Sequence, residues 1–131
     1  MEKNSILKFS LYFVGFVQVV LGLIFLLIPT NYASMMGLQQ APNWVNWMFT
    51  FMSIRMIGFG AGMFIAAKDP IKNKLWIQIM IVMQAMDWLG TVFYLTAGVV
   101  TLAQVTSASF LPLIFIALLV YSYPRPQAST A

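Results

Sequence analysis

The sequence contains no cysteine and no histidine, and only 8% of its 131 residues are charged. Without cysteine and histidine there are no disulfides, no thiol or imidazole chemistry, and almost none of the usual zinc, copper or haem sites. The low charge content, against a usual ~25% in soluble proteins, excludes a water-soluble globule. The composition therefore predicts no metal site, no bound cofactor and no catalytic residues.

Hydrophobic residues make up 61% of the sequence, whereas soluble domains contain ~45–50%. The net charge is +4, but no segment combines clustered lysine and arginine with aromatic residues as a nucleic-acid surface requires. We therefore exclude nucleic acid as a partner. A chain of this length has room for one domain, and we predict a single integral membrane domain over residues 1–131 that has the lipid bilayer as its surroundings.

Four long apolar runs organise the chain. They are Ile6–Ile28, Val45–Ala67, Leu75–Ala97 and Leu102–Tyr123. Each reaches the roughly 20 residues that a helix needs to cross ~30 Å of hydrocarbon. The fold class predicted is thus all-α, a polytopic membrane protein built as a four-transmembrane-helix bundle. Pro29 ends the first run, and we expect a short surface helix around Ser34–Leu38 in the uncharged loop that follows.

The basic residues at or beyond the ends of these runs all flank one side of the predicted bundle. They are Lys3, Lys8, Lys68, Lys72, Lys74 and Arg125. Because cytoplasmic loops retain positive charge, this distribution places both termini in the cytoplasm (N-in/C-in) and the protein in an inner (plasma) membrane. A cleavable signal peptide is the competing interpretation of the N-terminus. Its apolar segment would be too long, since such segments usually run only ~7–15 residues.

Only two charged residues, Arg55 and Asp87, lie in the interior of the predicted spans, since Lys8 is at the start of the first. An unpaired charge at the centre of a bilayer costs ~2.5–3.5 kcal/mol or more, so both need partners. Each lies thirteen residues from a lysine at the end of its span, Lys68 or Lys74, which puts both Cα atoms ~20 Å from the cytoplasmic boundary. We therefore expect an ion pair between Arg55 and Asp87.

Three polar residues are expected near this pair. Gln84 and Thr91 lie one turn before and one turn after Asp87, and Gln18 lies near the middle of the first span. Together with Arg55 and Asp87 they predict a buried polar cluster that binds a ligand. The alternative is purely structural, because polar contacts between membrane helices also hold bundles together without a ligand.

Small residues repeat every four positions in the second span, at Gly58, Gly62 and Ala66. Such a stripe allows another helix to approach closely, so we predict that these residues pack helices together. Gly60 lies on the adjoining face of the same span. Pro112 interrupts the fourth run and predicts a kink there.

A four-span chain with Arg55, Gly58, Gly60 and Gly62 in an Arg-x-x-Gly-x-Gly-x-Gly run, followed by a basic loop, resembles the DoxX-like superfamily of small bacterial membrane proteins. The resemblance implies a four-helix bundle. It also implies, for some members, an association with quinone-linked oxidoreductases. No catalytic residue is carried over from it, and a chain without histidine or cysteine would have an accessory role in any redox complex.

Two classes of function fit the sequence. The first is a binding or accessory protein that holds a lipid-soluble molecule, such as a quinone or an isoprenoid, or joins a larger membrane complex or a homodimer. The second is a small proton-coupled transporter or channel in which Asp87 takes up and releases a proton. An enzyme is less favoured, because no nucleophile or base pair is recognisable.

Overall fold

The computed structural model describes residues 2–126, which form five α-helices and no strand. These are α1 (Lys3–Leu27), α2 (Pro29–Met35), α3 (Trp44–Lys68), α4 (Lys74–Thr96) and α5 (Thr106–Tyr121). Three of them, α1, α3 and α4, are long and apolar enough to cross a membrane, and α5 is a shorter apolar helix of 16 residues. The all-α class is therefore confirmed.

The three long helices begin and end within three residues of the predicted apolar runs. The fourth helix begins at Thr106, four residues later than the predicted run. The reason is a turn at residues 101–105. The backbone N–H of Thr101 donates a 2.9 Å hydrogen bond to the side-chain oxygen of Gln104. The backbone N–H of Gln104 donates a 3.4 Å hydrogen bond to the hydroxyl oxygen of Thr101. This reciprocal pattern resembles a capping box and stabilises a turn ahead of the helix.

The short helix of the first loop lies earlier than predicted, at Pro29–Met35 instead of around Ser34–Leu38. Proline is well suited to the first position of a helix, where its missing N–H is not needed, so Pro29 begins α2 as well as ending α1. Gly37 then ends α2, because it adopts a φ of 74° and lets the N–H of Leu38 donate to the carbonyl of Ala33.

The closest helix packing joins α1 to α3, which run antiparallel. A Cβ added to Gly15 would lie 2.9 Å from the carbonyl oxygen of Gly60, and one added to Gly60 would lie 2.8 Å from that of Gly15. One added to Gly22 would lie 2.9 Å from the carbonyl oxygen of Ser53. Small residues seven positions apart on each helix thus bring the two backbones into contact over two turns.

The second helix pair consists of α4 and α5. The indole Nε1 of Trp88 donates a 3.1 Å hydrogen bond to the backbone carbonyl of Ser109. This carbonyl lies in the turn before Pro112, where the missing N–H and the proline ring weaken the ladder of backbone hydrogen bonds. The tryptophan therefore supplies a donor at the point where the helix is weakest.

The two pairs meet in the half of the molecule that contains Lys3, the α3–α4 loop and Tyr121, here called the basic end. Every buried apolar residue of the core lies in this half: Leu7, Leu11, Val14, Met63, Ala66, Ala67, Ile77, Met80, Phe115 and Leu119. At the opposite, uncharged end, the side-chain amide of Gln104 donates to the carbonyl of Gly37 over 3.1 Å. The pairs are thus packed together mainly at the basic end.

Candidate functional site

Arg55 lies on the face of α3 that is directed toward α4. Positions 55, 59, 62 and 66 are spaced by four, three and four residues, which places them on one side of a helix. On that side Phe59 contacts the ring of Trp76 from α4, with ring centroids 6.0 Å apart. Gly62 lies directly against the same ring. Arg55 therefore continues this face toward the uncharged end.

Asp87 occupies the matching position on α4. Trp76, Met80, Met83 and Asp87 are again spaced by four, three and four residues, so Asp87 shares a face with the tryptophan that contacts α3. Arg55 lies seven residues beyond Gly62 and Asp87 eleven beyond Trp76, or ~10 and ~16 Å along the two helices. This difference in position along the helices is smaller for the guanidinium and the carboxylate than for the Cα atoms. Helical side chains lean toward the N-terminus of their own helix, so in this antiparallel pair the side chains of Arg55 and Asp87 lean toward each other.

The expected ion pair is nevertheless not formed. Both Arg55 and Asp87 are exposed, and no carboxylate in residues 2–126 pairs with a lysine or arginine. A Cβ added to Gly58 on α3 or to Gly90 on α4 would meet no atom within 4 Å. The described residues therefore show no direct pair, and a shared polar site for Arg55 and Asp87 stays a prediction. The ring of Trp76 lies between α3 and α4, and beyond it neither Gly58 nor Gly90 has a neighbouring helix against it.

We call the stretch of α3 and α4 that carries Arg55, Gly58, Asp87 and Gly90 the α3–α4 cleft. It differs from the predicted cluster in being open, whereas the sequence predicted a polar group enclosed by four helices. The cleft presents one cation and one carboxylate that have no charged partner within the described chain.

The other predicted polar residues do not form one group with the charges of the cleft. Thr91 is next to Asp87, but its hydroxyl donates to the backbone carbonyl of Asp87 over 2.9 Å. Gln84 is buried in the core, where its amide donates to the sulfur of Met80 over 3.4 Å. Gln18 is buried beside Gly60 in the α1–α3 interface. Throughout residues 2–126, every fully buried side-chain nitrogen and oxygen has a hydrogen-bond partner.

The three residues predicted to pack helices behave differently from one another. Gly62 and Ala66 are buried, and Gly62 accommodates the ring of Trp76. Gly58 is exposed in the cleft and contacts no other helix. The stripe is divided because α3 and α4 are in contact only at the basic end.

The main packing residues of α1 were not predicted as such. Gly15 and Gly22 are separated by seven residues, as are Ser53 and Gly60 on the next long helix. This shared spacing of small residues on two consecutive spans is the signal that would have identified the α1–α3 interface.

The cleft has a limited chemistry. The guanidinium of Arg55 can donate several hydrogen bonds to an anionic or carbonyl oxygen, and the carboxylate of Asp87 can accept hydrogen bonds or take up a proton. Residues 2–126 contain no group of three His, Cys, Asp or Glu side chains that could hold a metal ion. Comparisons with protein-family models, with curated proteins and with solved structures found no match. The chemistry of the cleft is therefore the basis for any functional conclusion.

Proposed function

We propose that the chain is a multi-pass protein of a bacterial inner membrane, with four spans and both termini on the cytoplasmic side. Three helices have the length and apolar character of spans. The fourth, α5, extends for ~24 Å and carries exposed apolar side chains such as Phe110, Leu113 and Val120. The six basic residues outside the helical centres gather at one end, which supports the orientation. The resemblance to the DoxX-like superfamily, a prediction from the sequence, is consistent with such a bundle.

We further infer that the protein is a binding or accessory protein that acts through the α3–α4 cleft. The observation that carries this inference is the pair of exposed charges, Arg55 and Asp87, without a partner in the described chain. In a bilayer each such charge costs ~2.5–3.5 kcal/mol or more. A molecule from outside the chain that satisfied both charges would recover much of that energy.

Two kinds of molecule meet this requirement. A lipid-soluble compound with a polar head, such as a quinone or an isoprenoid derivative, would bind Arg55 through its oxygen atoms while its apolar part followed the helices. A membrane protein would bring its own charges, and the simplest such partner is a second copy. In a dimer whose two-fold axis is normal to the membrane, Arg55 of each copy faces Asp87 of the other.

A charge-exchange experiment tests the proposal and separates these partners. Two copies with different affinity tags are coexpressed, and copurification of the copies and of small molecules is measured for Arg55→Asp, for Asp87→Arg and for both variants mixed. For a dimer, each variant alone loses copurification about tenfold or more through like-charge repulsion. The mixture recovers it, because the aspartate introduced in one copy then meets the arginine introduced in the other.

For a small-molecule ligand, the expected result is different. Either single variant loses the copurifying molecule, and mixing the variants restores nothing. Lys74→Asp is the matched control, since it reverses a charge outside the membrane at the start of α4. If all three variants keep both the dimer and the bound molecules of the unmodified protein, the proposal is overturned.

The second candidate is a proton-coupled transporter or channel in which Asp87 carries the proton. One observation favours it: Asp87 has no arginine partner in the described chain, and a carboxylate without a fixed cation can change its protonation state more readily. A carbodiimide that modifies protonated carboxyl groups should then label Asp87 faster when a proton gradient is imposed. The variant Asp87→Asn supplies the background, and equal labelling with and without the gradient would exclude proton transport through this residue.

A further inference from the structure

A cavity of the described chain lies at the basic end, far from the α3–α4 cleft. Its volume is about 470 Å³, and three separate segments line it: the start of α1, the end of α3 with its loop, and the residues after α5. A volume of this size lies within the range of ~300–1,000 Å³ that small-molecule sites occupy. The cavity is therefore large enough to take the head of a lipid or a small soluble anion.

Four cations line this cavity, namely Lys3, Lys8, Lys68 and Arg125, together with the two carboxylates of Glu2 and Asp69. Four positive and two negative charges leave a net charge of +2. The carboxylate of Asp69 already accepts a 3.1 Å hydrogen bond from the backbone N–H of Lys72, which fixes the loop. Glu2 is exposed at the rim. Within residues 2–126 neither carboxylate forms an ion pair with these cations.

The walls of the cavity are fixed by contacts that do not involve its cations. Ser122 is buried and donates a 2.6 Å hydrogen bond to the carbonyl of Leu118. The hydroxyl of Tyr123 accepts a 2.6 Å hydrogen bond from the side-chain amide of Gln78 in α4. These bonds attach the segment after α5 to the bundle, so Arg125 is presented next to Lys68 and the lysines of α1.

We propose that this basic cavity binds a phosphate-bearing anion, and that the head of an anionic phospholipid is its natural occupant. Basic pockets between helices at the cytoplasmic surface bind such heads through Lys and Arg. Two exposed side chains with apolar surface lie at the cavity. Ile71 is in its wall, and Tyr121 lies beside Lys3, whose Nζ is 5.4 Å from the centre of the tyrosine ring. They provide a surface for acyl chains directly next to the cations.

The experiment compares two pairs of lysine or arginine removals that change the net charge equally. Lys68→Gln with Arg125→Gln removes two cations from the cavity, and Lys72→Gln with Lys74→Gln removes two from the same end that do not line it. Each protein is placed in nanodiscs containing phosphatidylglycerol and phosphatidylcholine, and bound lipid is counted by native mass spectrometry. Two cations contribute about 10- to 30-fold to the binding of an anionic lipid.

For the cavity pair we expect bound phosphatidylglycerol to fall about 10- to 30-fold. For the control pair we expect a change of less than about twofold. Lys3→Gln with Lys8→Gln is a second cavity pair and should repeat the loss. Equal losses in cavity and control pairs would mean that only the surface potential attracts the lipid, and would overturn the proposal.

An added arm of the experiment distinguishes the source of the phosphate. Soluble glycerol phosphate is titrated against the bound lipid in the unmodified protein. Displacement of lipid from the unmodified protein and from the control pair, but not of the lipid that the cavity pair still binds, would identify a soluble phosphate ester as an occupant of the cavity. Persistence of the lipid would identify the membrane as the source. The proposals for the basic cavity and for the α3–α4 cleft can be overturned independently, because Arg55 and Asp87 remain intact in every variant of this experiment.

Discussion

The two faces that α3 presents to its neighbours are packed in different ways. Toward α1, Gly60 meets another glycine, and the backbones are in contact over two turns. Toward α4, Gly62 meets the large ring of Trp76, and the helices are in contact only near the basic end. A small residue thus produces a close interface when its partner is also small. When its partner is large, the same small residue receives a side chain and the helices stay further apart.

This difference also determines where polar chemistry is possible. The α1–α3 interface leaves no room for a ligand, and the polar residues within it, Gln18 and Ser53, are buried. The α3–α4 contact ends at Trp76, which leaves Arg55 and Asp87 exposed beyond it. The cleft is therefore a consequence of the tryptophan in the contact.

The largest expected effect comes from enlarging Gly60. In Gly60→Leu the new side chain meets the backbone of α1, which cannot move without breaking the interface, so we expect a loss of about 3 kcal/mol in the free energy of unfolding. Gly58→Leu is the matched control two positions away. It should change stability by less than about 0.5 kcal/mol, because its side chain enters open space.

Unfolding of both variants in detergent, followed by circular dichroism, measures this difference. Equal losses at the two positions would show that α3 tolerates large side chains no better in the cleft than in the α1–α3 interface.

A smaller effect is expected at the contact between α3 and α4. In Gly62→Val the added Cβ meets the ring of Trp76 first. This side chain can turn aside, so the expected loss is about 1–2 kcal/mol. The loss should shrink when Trp76→Leu is present in the same chain, with a coupling of about 1 kcal/mol in a double-mutant cycle. Strict additivity of the two changes would argue against the tryptophan as the element that separates the helices.

The smallest effect is expected between α4 and α5, where the side chain of Trp88 makes the contact. Between α1 and α3 glycines make it. Trp88→Phe removes the donor to the Ser109 carbonyl while keeping an aromatic ring, and should cost about 1 kcal/mol. Trp44→Phe, at an exposed tryptophan of α3, should leave the unfolding midpoint unchanged. An unchanged midpoint in Trp88→Phe as well would show that the indole hydrogen bond contributes nothing to the packing of α4 on α5.

The helices could be predicted from the sequence because their causes are local. Apolar composition and length are sufficient to identify α1, α3 and α4, and the prolines and basic residues limit their ends. The short helix α2 was misplaced by several residues. The prediction treats Pro29 only as the residue that ends α1, whereas a proline also favours the start of the next helix.

The candidate site was predicted less well, because its geometry depends on lateral distances between helices. Counting residues from Lys68 and Lys74 indicated similar depths for Arg55 and Asp87, but it carried no information on how far apart α3 and α4 lie. That distance depends on the size of the residue on α4 that packs against Gly62. The sequence alone does not reveal whether a glycine meets a glycine or a tryptophan.

The α1–α3 interface has a consequence for how the protein is made. Its close contacts join residues within the first 60 positions, so every residue that makes them is synthesised before α4. Chains grow from the N-terminus at ~5–20 residues per second, so the rest of the chain takes several seconds to add and this hairpin can begin to close before the chain is finished. The bond from Gln104 to Gly37 joins residues 67 positions apart and forms only after the turn preceding α5 has been synthesised. We therefore expect a destabilising substitution at Gly60 to affect folding during membrane insertion. A destabilising substitution at Trp88 should affect a chain whose first half is already folded.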